Sequence, residues 1–213
     1  MRPRQKQLIY AGLTAILILI WIFYSADDLQ TTAVLAGTVR AATLLALGAM
    51  CGMIGERSGV VNIGIEGQFL LSAFAAFTIA SMTGSLFMGT LAGVGMGLIM
   101  GWLLAAMAVG LKVDQIIAGT VLNISALGLT SFFYDRSRSL GIGKYTNIDL
   151  GPLAELPLVG TVLFSRPPLT YLTMVLLVVV HIALFRSVWG MRTRAIGEHP
   201  GAADTVGIDV LKL

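Results

Sequence analysis

Several polar side chains with recognition chemistry stand inside otherwise apolar runs of this chain. Asn62 and Glu66 lie four residues apart, which places them on one face of a helix. Gln115, Gly119 and Asn123 repeat that spacing as a polar and small row. Arg40 and His181 are embedded singly in two other apolar runs. Charged and amide groups are costly in lipid, so they face protein or water. Two readings follow for Asn62, Glu66, Gln115 and Asn123. Either they line a polar passage, or they hydrogen-bond neighbouring helices, with Arg40 and Glu66 paired. His181 reads as a packing residue.

The elements that must position these groups are long and apolar. The chain is 56% hydrophobic and 12% charged, against roughly 25% charged in a soluble domain. Six stretches are nearly free of charge: Leu8–Tyr24, Ala33–Ile54, Val60–Ala80, Leu86–Gly110, Val113–Phe133 and Leu169–Phe185. At 1.5 Å rise per residue each spans, or nearly spans, a hydrocarbon core of about 30 Å. The expected fold is therefore all-α, a polytopic membrane helical bundle of about six transmembrane helices. The single cysteine, Cys51, lies in an apolar run and has no intrachain disulfide partner. A net charge of +3 gives no case for nucleic-acid binding, and no metal-ligand cluster stands out.

The basic start (Arg2, Arg4, Lys6) places the N-terminus in the cytoplasm by the positive-inside rule. The stretch after Tyr24 lacks a small-x-small cleavage pattern, so the first span reads as an uncleaved signal anchor. Alternation then puts Asp27 and Asp28 outside, Glu56 and Arg57 inside, Lys112 inside, and Arg186, Arg192 and Arg194 inside. Residues 134–168 form a long outside segment punctuated by glycine and proline, though it carries Arg136, Arg138, Lys144 and Arg166. Its apolar piece, Leu153–Phe164, suits a short re-entrant or interfacial helix.

Gly89, Gly93, Gly97 and Gly101 recur every fourth residue, a face on which missing side chains let a second helix approach. No Walker-type phosphate loop occurs: Gly143-Lys144 is followed by Tyr145. The chain is thus not expected to hydrolyse ATP alone, and no cofactor is expected. Between Gly55 and Gly67 (GERSGVVNIGIEG), four glycines with Asn62 and Glu66 interrupt the apolar pattern. Glycine weakens a helix by about 1 kcal/mol relative to alanine. The stretch reads as a turn or as a broken helix of the kind transporters place at a substrate path.

GERSGVVNIGIEGQFLLSAFAAF at Gly55–Phe77 resembles the signature of permease subunits of ATP-binding-cassette importers. The branch is the nucleoside and simple-sugar group, related to ribose and branched-chain amino acid permeases. A second match, from Gly190 through Gly197-Glu198-His199-Pro200 to Asp209, resembles the family's cytoplasmic segment that docks on the ATPase subunit. A looser third is Val113–Leu129, with Ile116-Ile117-Ala118-Gly119-Thr120 and Asn123. Together they cover most of the chain from about residue 35. The docking motif also has its own physical reading. Pro200 suits the first turn of a short helix, Gly207 its end, and Ala202, Ala203 and Val206 a small-residue side.

The resemblance implies that the chain is not an enzyme but part of a permease passing a nucleoside or a simple sugar. It implies cytoplasmic ATP-binding subunits, a second permease subunit and an extracytoplasmic solute-binding protein as partners, in the lipid of the inner membrane. Residues 1–213 read as one transmembrane domain, with 186–210 as the docking segment carrying Arg194, Gly197, Glu198, Pro200, Ala202, Ala203 and Gly207. Family permeases continue into further spans past this segment, so the chain is expected to be the N-terminal portion of a larger permease. The rival from another class is a secondary transporter or channel in which Glu66, with Asp114, carries protons or cations. A membrane subunit with no path of its own is the third option.

Overall fold

The structure is a computed structural model describing residues 3–134, 141 and 143–210. Arg2, Arg136 and Arg138 of the charge pattern lie outside the described residues. The expected helical bundle is present. The helices are α1 (Pro3–Ala26), α2 (Asp28–Arg57), α3 (Ile65–Thr83), α4 (Leu86–Ala105), α5 (Gln115–Phe133), α6 (Pro168–Arg186), α7 (Val188–Glu198) and α8 (Pro200–Thr205). Among the described residues, five helices are long and apolar enough to cross a membrane, counting α4 with the π-helical turn that extends it to Gly110, and α1 adds the shorter apolar stretch Gly12–Ala26.

Packing is inside-out by the standards of a soluble protein. Trp102, Leu98 and Phe132 are at least 69% exposed, as expected of side chains whose solvent is lipid. The chain divides into two compact units.

The first unit comprises Met1–Leu45 and Thr146–Met174. Asp27 separates α1 from α2 and caps the latter, its carboxylate accepting from the Gln30 N–H at 2.9 Å. Strands β1 (Ile148–Asp149) and β2 (Ser165–Arg166) pair antiparallel, Ile148 opposite Arg166. The expected helix over Leu153–Phe164 does not form as a unit. A 3-10 turn at Gly151–Leu153 and a π turn at Gly160–Phe164 flank Pro157, with Leu158 at φ +64° between them. Proline lacks the N–H that a continuous helix needs. Arg166 is 5% exposed and donates to the carbonyls of Val162 (2.6 Å), Thr161 (2.9 Å) and Ala36 (3.2 Å). Burial, then the Arg40 charge, lowers its pKa, but a guanidinium stays protonated. Each of its three guanidinium nitrogens donates to a backbone carbonyl, a structural role that accounts for one basic residue in a segment read as external.

The second unit comprises Ala46–Tyr145 and Val175–Leu213. Its core is Leu71 of α3, Met100 and Leu104 of α4, and Ala118, Leu122 and Ala126 of α5. Helices α3 and α4 form a hairpin across Gly84, whose φ of +69° suits glycine. Three of the four periodic glycines meet α3. A Cβ added at Gly89 would lie 2.7 Å from the Ala80 Cβ, one at Gly93 3.1 Å from the Ala76 Cβ, and one at Gly97 3.2 Å from the Ser72 Oγ. Gly101 has open space, because the four-residue spacing drifts around the helix.

Candidate functional site

The stretch Gly55–Gly67 resolves as a break between two helices. Helix α2 continues to Arg57, Gly59 turns with φ +86°, and α3 starts only at Ile65. The apolar run beginning at Val60 is therefore helical over a shorter length than its hydropathy suggests. What holds the break open is α5. The Gln115 Oε1 accepts from the Val61 N–H (2.8 Å) while its Nε2 donates to the Gly59 carbonyl (3.3 Å). The Asn123 Oδ1 accepts from the Gly67 N–H (2.7 Å) while its Nδ2 donates to the Ile63 carbonyl (3.0 Å). Gly67 is in the first turn of α3, where an N–H has no intrahelical acceptor, so Asn123 caps α3 from a neighbouring helix. Gly119 sits between the two amides, and a Cβ there would lie 2.8 Å from the Gly64 nitrogen. The row 115/119/123 is a clamp on backbone.

Asn62 and Glu66 part company. Asn62 turns away from α5, its Nδ2 donating to the Gln68 Oε1 of α3 at 3.1 Å and facing the Cys51 Sγ of α2 at 3.7 Å. Glu66 is exposed and borders a cavity of about 200 Å³ with Gly67, Leu70, Asn123, Ile124 and Leu127. Leu70 and Leu127 also line a second cavity, of about 560 Å³, with Phe74, Phe77, Thr130, Ser131 and Tyr134. One groove thus runs between α3 and α5 from the Glu66 carboxylate to an aromatic end. Asp114, the other carboxylate of the rival reading, caps α5: its Oδ1 accepts from the Ile116 and Ile117 N–H groups at 2.9 and 3.2 Å. His181 packs against Phe185, ring centroids 5.2 Å apart and planes tilted by 38°.

The segment 186–210 forms two short helices. Ser187 caps α7, accepting from the Gly190 N–H (3.0 Å), and the His199 Nδ1 caps α8, accepting from the Ala202 N–H (3.0 Å). Pro200 holds the first position of α8, and Gly207 follows it at φ +83°. Glu198, Pro200 and Ala202 are exposed, whereas Ala203 is buried. Arg194 is half-buried, 5.4 Å from the Phe185 ring centroid, and Arg57 approaches the same ring at 5.8 Å. Gly197 lies against the backbone of Arg57 and Gly59; a Cβ on Gly197 would stand 3.0 Å from the Gly59 nitrogen. Sequence reasoning missed Gln68, His199 and the Gly59–Gly197 contact. A glutamine one residue after Gly67 inside an apolar run was the signal for the first.

Residues 34–213 match the family described as branched-chain amino acid transport system / permease component. The chain belongs to this permease family. A Haloferax volcanii protein provisionally named as a glucose ABC transporter permease, TsgC13, is 36% identical over 182 residues, covering 84% of this chain and 55% of the relative. The nucleoside ABC transporter permease NupC of Lactococcus lactis is 35% identical, covering 75% of this chain and 54% of the relative. The guanosine ABC transporter permease NupQ of Bacillus subtilis is 32% identical, covering 84% and 60%. The permease chain thus spans little more than half the length of these relatives. No solved structure matches it.

Proposed function

We propose that this permease chain forms part of the translocation path of an ATP-binding-cassette importer for a nucleoside, with a simple sugar as the second choice. The groove between α3 and α5 supports the order. Phe74, Phe77 and Tyr134 offer π faces for a base, and Thr130, Ser131 and Glu66 offer polar partners. In this reading the cytoplasmic ATP-binding subunits dock on residues 186–210 through Glu198, Pro200 and Ala202. A second permease subunit completes the path, and an extracytoplasmic binding protein delivers solute. The membrane is the inner membrane, with the N-terminus in the cytoplasm beside Arg4 and Lys6.

The observation that carries the proposal is the backbone contact of Gly197 with Gly59. It joins the docking segment to the break, and the clamp from Gln115 and Asn123 joins the break to the groove. Closure of the ATPases would displace Gly197, shift the break and re-orient α3 beside the solute. In this scheme Glu66 binds solute rather than driving transport with a proton.

The test is uptake by the full-length complex in vesicles. Vanadate-sensitive, uncoupler-resistant uptake of adenosine or glucose is expected, and Glu66→Gln is expected to raise KM without conferring uncoupler sensitivity. Uptake abolished by a proton uncoupler and indifferent to vanadate would instead establish the secondary transporter. The named activities of the relatives do not favour that rival.

A further inference from the structure

Beside the break, on the side of α3 away from the groove, three polar side chains converge. Cys51 comes from α2, Asn62 from the break and Gln68 from α3. The Asn62 Nδ2 donates to the Gln68 Oε1 (3.1 Å) and faces the Cys51 Sγ (3.7 Å), while the thiol lies 4.0 Å from the Gln68 Oε1. That arrangement uses half of each amide. The Asn62 Oδ1 and the Gln68 Nε2 are buried with no partner, and Gln68 as a whole is 8% exposed.

Two such open groups are expensive. Each buried donor or acceptor left unmade costs about 1–3 kcal/mol, and native proteins keep few of them. Leucine at position 68 would remove the open Nε2 but would also take the acceptor from the Asn62 Nδ2. Rotating both amides by half a turn exchanges which residue holds the open donor, but one donor and one acceptor always remain.

The unmade pair calls for a group that both donates and accepts. A carboxylate only accepts and an ammonium group only donates, so each would leave one side open. A neutral hydroxyl both gives and takes a hydrogen bond at one atom. We infer that Cys51, Asn62 and Gln68 form a binding site for a hydroxyl group of the transported solute, visited at a step of transport separate from its stay in the groove on the other side of α3. The inference rests on the importer reading. In the present conformation both open atoms are shut off, and the wall that can move is the break. Asn62 belongs to it, and so does Gly64, where a Cβ would already lie 3.3 Å from the Asn62 Oδ1. Exposed Cys51 stands at the rim. Displacement of the break by Gly197 would therefore uncover the pair during turnover. A water molecule offers the same hydroxyl chemistry, and the experiment separates the two sources.

Cys51 provides the reporter. The full-length complex in vesicles is treated with N-ethylmaleimide during ATP turnover, and alkylation of the Cys51 peptide is followed by mass spectrometry. Adenosine is compared with 2′,3′-dideoxyadenosine, and glucose with its monodeoxy analogues. Protection of Cys51 by the hydroxylated solute, and none by the analogue lacking the hydroxyl, is expected. The ratio of kcat/KM for solute over that analogue should fall about tenfold in Gln68→Leu, since a site built to bond a hydroxyl discriminates against its absence. Because it is a ratio, partial misfolding of the variant does not mimic it, and Gly101→Ala should leave it unchanged. Uptake with an unprotected Cys51 and an unaltered ratio in Gln68→Leu would mean that water alone fills the site, and sinks this assignment while leaving the importer reading intact. A complex with no ATP-dependent uptake of either solute sinks both.

Discussion

Gly59 and Gly197, 138 positions apart in the chain, meet backbone to backbone: a Cβ built on Gly59 would lie 3.3 Å from the Gly197 Cα. The contact joins the turn after α2 to the last turn of α7 with no side chain between them. Such a joint transmits displacement without the slack of a flexible side chain. Alanine at Gly197 would drive its methyl into the Arg57 carbonyl. Alanine at Gly59 would also have to hold φ at +86°, which costs about 1–2 kcal/mol. Either variant of the complex is expected to keep ATP hydrolysis while uptake falls by about tenfold or more, which parallel assays of the two in vesicles would measure. Equal loss of both activities, or neither, would show that the contact does not couple them.

Asn123 should matter for the shape of the break before it matters for solute. Asn123→Ala removes the acceptor for the Gly67 N–H and the donor for the Ile63 carbonyl. A loss of about 1–3 kcal/mol per unpaired group is expected. Hydrogen exchange should accelerate at Gly67 in this variant and at Val61 in Gln115→Ala, whose Oε1 holds the Val61 N–H. Unaltered protection at both amides would remove the clamp.

The two alanines of α8 should respond oppositely to size. Ala203 is 3% exposed, so Ala203→Trp is expected to lower thermal stability by about 1–3 kcal/mol or more through overpacking. Ala202 and Glu198 face outward, so Ala202→Trp and Glu198→Arg should leave melting unchanged but lower ATPase binding and uptake together. A thermal shift assay beside co-purification of the ATPase separates the cases. Retained ATPase binding in both surface variants would count against docking there.

The glycine row of α4 should be uneven. Leucine at Gly89 or Gly93 would collide with Ala76 and Ala80 of α3, whereas Gly101 faces open space. Melting in detergent is expected to drop clearly for the first two and to stay near the parent value for Gly101→Leu. A uniform drop would mean that another surface covers Gly101 in the full permease.

Much of the architecture is local information. Long uncharged runs make spans because a backbone in lipid must satisfy its own hydrogen bonds, and hydropathy reads that requirement residue by residue. The end signals of α8 were legible for the same reason: Pro200 and Gly207 act through their own backbone preferences. Other assignments depended on partners distant in the chain. Asn62 and Glu66 stand four residues apart and Gln115 and Asn123 eight apart, both helical repeats, yet Gln115 and Asn123 hold backbone, Glu66 borders a groove, and Asn62 faces Gln68. A four-residue spacing says that two side chains share a face, not what that face meets. Likewise Ala202 and Ala203 are the same residue one position apart, and the packing of the rest of the unit sends one outward and the other inward. The start of α3 at Ile65 was hidden because the group that accepts from the Gly67 N–H in its first turn comes from Asn123 of α5, more than fifty residues on.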